Sequence, residues 1–140
     1  MTLKELSQLF HLGKEIEENE QRLKDIEDSL TRISAPDFEE HSHTTGYVQS
    51  KIDKLTAEKI DLQNIIDSMN IQCRAERNRL MRYIRGIKDS YTRRVFTLRF
   101  VDGLTWLQVA QKIGRGDADD AMRMICVRYL KEQNEGKKKK

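Results

Sequence analysis

The sequence predicts an all-helical fold, in which a long helical hairpin or coiled coil precedes a small domain of shorter helices. Charged residues make up 35% of the 140-residue chain and aromatic residues only 6%. The mean hydropathy of −0.75 is too polar for one compact core of this length. Apolar residues nevertheless recur at intervals of three and four over long stretches, which is typical of amphipathic helices and coiled coils.

The first helix is predicted over residues 2–33. Its apolar seam consists of Leu9, Leu12, Ile16, Leu23, Ile26, Leu30 and Ile33. Asn19 interrupts this seam, and a polar residue there either fixes register and partner number or is simply solvated. The helix is expected to end before Pro36, because the residue preceding a proline is pushed out of the helical region. The aperiodic stretch 34–46 is predicted to be a loop.

The second helix is predicted over residues 47–88. Its seam consists of Val48, Ile52, Leu55, Leu62, Ile66, Met69, Cys73, Leu80, Tyr83 and Ile87, with breaks at Lys59 and Glu76. A helix of this length spans about 60 Å. Neither helix can bury its stripe alone, so the stripes must pack on each other, on a second copy of the chain, or on both. The seams therefore predict a homodimer or a higher homo-oligomer, with residues 1–88 as its helical hairpin or coiled coil.

Residues 89–133 are predicted to form the small domain. Asp89 and Ser90 should close the long helix and cap a helix over 92–101, which Asp102 and Gly103 stop. Thr105 should cap a helix over 106–113 whose apolar face holds Trp106, Val109, Ala110 and Ile113. Gly114 and Gly116 then make a turn, and Asp117 caps a final helix over 118–133. The apolar stripe predicted for that helix is Ala118, Met122, Ile125, Tyr129 and Leu130. Residues 134–140 are predicted to be a basic tail.

The charges divide unevenly between the two halves of the chain. Residues 1–70 carry 8 basic and 15 acidic side chains, whereas residues 71–140 carry 18 and 8, a net charge of +10. Such an excess predicts a polyanionic partner for the C-terminal half.

The run SYTRRVFTLRFVDGLTWLQVAQKIG, followed by DADDAMRMICVRYLKE, resembles region 4 of sigma factors. It is more similar still to small phage and prophage regulators of the RinA and ArpU kind. The resemblance covers residues 83–132, whereas residues 1–82 are similar in architecture only. It implies a helix-turn-helix that binds double-stranded DNA, with the final helix in the major groove. It also implies a phage or prophage transcriptional regulator in the cytoplasm of a bacterial host.

The resemblance assigns individual DNA contacts. The positions that would read bases are Asp119, Asp120, Arg123, Met124 and Val127. Arg123 is the candidate for guanine, because a guanidinium can bridge both acceptors on a guanine edge; a phosphate or solvent contact is the alternative. Apart from the resemblance, the concentration of arginines in this half of the chain predicts phosphate contacts at Arg74, Arg77, Arg93, Arg94, Arg115 and Arg128. Further positive charge is available at Arg79, Arg82, Arg85, Lys88 and Arg99. The sequence departs from the family at Asp117, Asp119 and Asp120, which suit the helix dipole but repel phosphate.

Two other functions remain compatible with this pattern: a small terminase subunit for DNA packaging, and a region 4-like module that binds RNA polymerase. The sequence favours no enzyme, because no nucleophile is placed beside a base and no phosphate-binding loop follows a strand. His41 and His43 lack a third and fourth metal ligand, so we expect a solvated loop and no metal or cofactor. Cys73 and Cys126 are expected to be free thiols. No apolar run is long enough to cross a membrane.

Overall fold

The computed structural model describes residues 1–33, 45–114 and 119–138, and all regular structure within these ranges is helical. Helices α1 (Leu3–Ile33) and α2 (Thr45–Arg85) are long. Helix α3 (Ser90–Phe96) continues into a π-helical segment (Thr97–Val101), and α4 (Trp106–Ile113) and α5 (Asp119–Lys138) follow. The predicted all-helical class is therefore confirmed. None of the helices in the described ranges is both long and apolar enough to cross a membrane.

The chain divides into two compact units. Met1–Leu12 and Cys73–Lys140 form one, here called the basic unit, and Gly13–Gln72 form the other, here called the hairpin unit. By sequence the basic unit carries a net charge of +10 and the hairpin unit −7. The small domain was predicted to begin at residue 89. The compact unit instead includes the start of α1 and the end of α2, because Leu6 and Leu80 are fully buried in its core.

In the hairpin unit, α1 and α2 run antiparallel. Asn19 on α1 contacts Met69 on α2, with 3.3 Å between Nδ2 and Sδ, and further along α1 Glu27 lies 3.6 Å from Lys59. Asn19 is buried, and its Oδ1 accepts a hydrogen bond of 2.8 Å from Arg22 Nη1. Both ends of the amide thus have partners, as a buried polar group requires. The structure therefore favours the register-fixing interpretation of Asn19 over the solvated one.

The core of the basic unit is built from each of its helices. Its fully or nearly fully buried members are Leu6, Leu9, Leu80, Ile84, Ile87, Val95, Phe96, Phe100, Val109, Ala110, Met122, Cys126 and Leu130. Phe96 lies at the centre of an aromatic group, with its ring centroid 5.5 Å from that of Phe100 and 5.4 Å from that of Tyr129. Such tilted and edge-to-face pairs add to the stabilisation from burial.

Local capping fixes the helix ends, largely as predicted. Asp89 caps α3 by accepting hydrogen bonds from Thr92 Oγ1 (2.7 Å) and Thr92 N (3.1 Å), and these bonds lower the pKa of its carboxyl. Thr105 and Gln108 form a reciprocal capping box at the start of α4. Gly114 ends α4 in the left-handed region at φ 94°. Gly116 and Asp117 lie outside the described residues, as does most of the predicted 34–46 loop.

Other predicted boundaries are corrected by the structure. Helix α2 ends at Arg85 rather than near residue 88, because the amides of Gly86 and Ile87 bond to carbonyls three residues back and tighten the last turn. Helix α3 begins at Ser90, and its predicted continuation to residue 101 is π-helical. Helix α5 continues to Lys138, so residues 134–138 of the predicted tail are helical, since Gln133 to Glu135 do not break a helix.

The buried stripe of α5 also differs from the predicted one. Met122 and Leu130 are buried as expected, but Cys126 is fully buried between them, whereas Ile125 and Tyr129 are only half-buried. The helix is therefore turned so that the small thiol lies at the centre of the interface and the larger side chains pack at its edge. Ala118 lies outside the described residues.

Candidate nucleic-acid interface

Helix α5 presents an exposed polar face at its start. Asp119, Asp120 and Arg123 are exposed, and Arg123 Nε lies 3.7 Å from Asp120 Oδ1. The side chain of Arg123 is 51% exposed, and that of Asp120 is 90% exposed. An ion pair this exposed contributes about 0–1 kcal/mol. The contact therefore leaves the Arg123 guanidinium able to exchange its partner for another acceptor.

Met124 and Val127, the remaining two positions that the sequence predicts to read bases, are half-buried. They lie beside the exposed polar residues of α5 and add apolar surface there, the type of surface that can contact a thymine methyl group.

Helix α5 is held in place by α4 and α3. Val109 and Ala110 of α4 are fully buried in the same core as Met122 and Cys126 of α5. The capping box at Thr105 and the left-handed Gly114 fix both ends of α4. The basic unit therefore contains a short capped helix that ends in a glycine turn, followed by a longer helix whose buried side is anchored and whose other side is open.

Many exposed cations of the basic unit lie outside α5. They include Arg74, Arg77, Arg82, Arg85, Lys88, Arg94 and Lys112, and Arg128 is exposed on α5 itself. Arg74, Arg77 and Arg85 share one face of α2, because their spacing is close to whole helical turns. Arg79 differs, because it holds Glu76 with two contacts of 2.7 and 3.3 Å, and this hydrogen bonding raises the pKa of Arg79. Its charge is therefore already partly neutralised.

Four cations meet around a cavity of about 410 Å³ between α2, α3, the π-helical segment and α4. The residues that line it are Met81, Ile84, Arg85, Arg93, Arg94, Thr97, Leu98 and Lys112. The fold thus brings the predicted phosphate contacts Arg93 and Arg94 together with Arg85. Sequence reasoning missed Lys112 at this site. In the sequence, Lys112 is one basic residue next to the apolar stripe of α4. Basic residues are common at such positions, so this pattern did not indicate a site.

Two arginines of this region also support the fold. Arg93 is half-buried, and its Nη1 donates a 2.8 Å hydrogen bond to the carbonyl of Ile87. Arg99 donates a 2.9 Å hydrogen bond to the carbonyl of Leu104 and lies over the Trp106 ring, with its guanidinium carbon 4.6 Å from the ring centroid. Arg99 therefore stabilises the connection between α3 and α4 rather than adding free positive charge. Arg115 lies outside the described residues.

The predicted free thiols are confirmed: neither Cys73 nor Cys126 is in a disulfide. Cys126 is fully buried, and burial raises its pKa to about 12, so it remains protonated near neutral pH. His41 and His43 lie outside the described residues. Within the described part of the chain, no group of three or more His, Cys, Asp or Glu residues is arranged to hold a metal ion.

The chain matches no protein-family model, no curated protein and no solved structure. The resemblance of the C-terminal region to sigma-factor region 4 therefore rests on its own motif residues.

Proposed function

We propose that the protein is a sequence-specific regulator of transcription that binds double-stranded DNA with its basic unit and reads bases with α5. The resemblance to RinA- and ArpU-type proteins supplies the setting, a phage or prophage gene expressed in a bacterial host. The observation that carries the proposal is the combination, in one compact unit, of an anchored helix with an open polar face and a large excess of exposed cations. Self-association through residues 9–33 and 48–87 of the two long helices belongs to the same proposal.

In this proposal, cations on α2, α3 and α4 contact the DNA phosphates. Arg74, Arg77 and Arg94 are exposed, and none of them is within 4.0 Å of a carboxylate in the described part of the chain. Each cation that neutralises a phosphate releases condensed counterions, which supplies affinity for any sequence. Contacts of this kind position the protein but do not select a base sequence.

In this proposal, side chains at the start of α5 contact the base edges. The Arg123 guanidinium has the fork geometry that binds the O6 and N7 atoms of guanine, and a carboxylate such as Asp120 can accept from the amino group of cytosine. Asp119 and Asp120 also repel the DNA backbone, so affinity must come from the cations on the other helices. The proposal therefore assigns affinity and specificity to different elements of the basic unit.

A fluorescence anisotropy titration tests the proposal. The full chain is titrated against random duplexes and against a duplex enriched by selection, at several salt concentrations. Six phosphate contacts give a slope of roughly −5 for log affinity against log salt. The selected duplex should bind at least 10³-fold more tightly than a scrambled one, in the range of sequence-specific proteins.

The alternatives predict different outcomes of the same measurements. Absence of binding to any duplex at low salt, or binding without salt dependence, would contradict the regulator and favour the polymerase-binding module, for which the exposed acidic start of α5 is the supporting feature. Assembly into rings of eight or more copies would favour the terminase subunit, whereas a dimer favours the regulator.

A further inference from the structure

We propose that the 410 Å³ cavity between α2, α3, the π-helical segment and α4 binds a small organic anion with an apolar body, such as a carboxylate, sulfonate or phosphate ester on an aliphatic or aromatic group. The site is distinct from the proposed base-reading face of α5, although it shares Arg93 and Arg94 with the proposed phosphate contacts, and it can be tested in the absence of DNA.

The floor of the cavity is apolar. Ile84 is only 4% exposed, and Met81 and Leu98 are half-buried beside it. Small-molecule sites typically enclose about 300–1,000 Å³ and are lined mainly by apolar groups with a few polar ones for orientation. The volume and the floor of this cavity match that description. A site that served only to hold DNA phosphates would not need an apolar floor, because phosphates are bound by cations and hydrogen-bond donors.

The rim of the cavity is positively charged. Arg85, Arg94 and Lys112 are exposed at the cavity, and Arg93 lines it as well. In the described part of the chain, none of these four cations is within 4.0 Å of a carboxylate, and no acidic residue lines the cavity. The hydrogen bond from Arg93 to the Ile87 carbonyl fixes the guanidinium plane, and its remaining N–H groups stay available for an anion.

The wall on the α3 side has an irregular backbone. Thr97 and Leu98 belong to the π-helical segment, in which the amide of Asp102 bonds to the carbonyl of Thr97 over 3.0 Å, five residues back. Such π-helical turns are rare, and they occur frequently at functional sites. This is a second observation at the same place, independent of the charge of the rim.

Charge complementarity and the apolar floor together select the ligand class. An inorganic anion would use the rim but leave the floor in water. An uncharged apolar molecule would use the floor but leave the charged rim without a counterion. Only a molecule that has both parts satisfies both surfaces.

Fluorescence titration of the full chain with 1-anilinonaphthalene-8-sulfonate, in the absence of DNA, tests the proposal. We expect one probe molecule per chain. Octanoate should displace the probe at concentrations at least tenfold lower than octanol or inorganic phosphate. Equal displacement by octanol would overturn the role of the charged rim, and equal displacement by phosphate would overturn the role of the apolar floor.

Variants locate the site. The double variant Arg94→Gln/Lys112→Gln removes two exposed charges, and Met81→Trp places a larger side chain on the cavity floor. Each should weaken probe binding at least tenfold while the helical circular dichroism signal is unchanged. Arg128→Gln, which removes an exposed arginine of α5, is the matched control and should bind the probe as the parent does. Undiminished binding in both cavity variants, or an equal loss in the control, would overturn the proposal.

Discussion

Replacement of Arg123 by alanine should separate base reading from phosphate holding. The Arg123 side chain is 51% exposed, and the ion pair that it makes in the described part of the chain is the 3.7 Å approach to Asp120, which is 90% exposed. An exposed pair of this kind contributes at most about 1 kcal/mol, so Arg123→Ala should barely change the free energy of unfolding. A bidentate contact with guanine is worth about 1–3 kcal/mol. The variant should therefore bind its selected duplex roughly 5- to 150-fold more weakly.

The assay is a competition titration at one fixed salt concentration, with the selected duplex and a scrambled duplex of the same length and composition. Affinity for the scrambled duplex should be nearly unchanged in Arg123→Ala. Arg128→Ala is the matched control, because Arg128 is an exposed arginine of the same helix and we assign it to a phosphate contact. This variant should bind both duplexes more weakly, by the same factor. An equal loss on both duplexes for Arg123→Ala would show that Arg123 contacts phosphate, and the assignment of the reading face would then be wrong.

Further predictions concern the arginines assigned to phosphate, the backbone at Gly114, the buried thiol of Cys126 and self-association of the chain. Arg94→Ala should weaken binding to all duplexes alike and flatten the salt slope by about one unit; loss confined to the selected duplex would contradict its assignment to phosphate. Gly114→Ala should lower the free energy of unfolding by about 1 kcal/mol in urea titrations, because a side chain is strained at the φ of 94° that Gly114 adopts. The added methyl would contact no neighbouring atom, so no new packing offsets this strain. The control Gly13→Ala, in the interior of α1 with open space around it, should raise that free energy instead. Iodoacetamide at pH 8 should leave Cys126 unmodified in the folded chain and modify it after denaturation, because burial raises its pKa to about 12; rapid native labelling would contradict this burial. Light scattering should give a mass above the 16.5 kDa of one chain, and a clean monomer at micromolar concentration would exclude self-association.

The helices themselves could be predicted from the sequence because their signals are local. The three-and-four spacing of apolar residues defined α1 and α2 without any knowledge of what they contact. The caps at Asp89 and Thr105 and the glycine at 114 were predictable for the same reason, since each acts on backbone groups within a few residues. These features depend on chain positions that are neighbours in the sequence.

The orientation of α5 and the composition of the site could not be predicted in the same way. The spacing of apolar residues predicted Ile125 and Tyr129 on the buried side of α5, yet Cys126 is the fully buried residue and the other two are only half-buried. The packing of α5 against the other helices decides which of its sides is covered, and the sequence of α5 alone does not determine that packing. The cavity joins residues from α2, α3 and α4 that are far apart in the sequence. Which residues line the cavity depends on how those helices pack, and that packing cannot be predicted from patterns within a single helix.

On the proposed function, the acidic start of α5 weakens nonspecific binding without itself selecting a sequence. Asp119 and Asp120 suit the positive end of the helix dipole, so they favour the helix itself. In the DNA complex they would repel the backbone of every duplex alike, so this repulsion cancels when the affinities for two sequences are compared, and the base contacts alone discriminate. Because the repulsion is electrostatic and exposed, it is screened as salt rises. The ratio of the affinities for the selected and the scrambled duplex should therefore change less with salt than either affinity does.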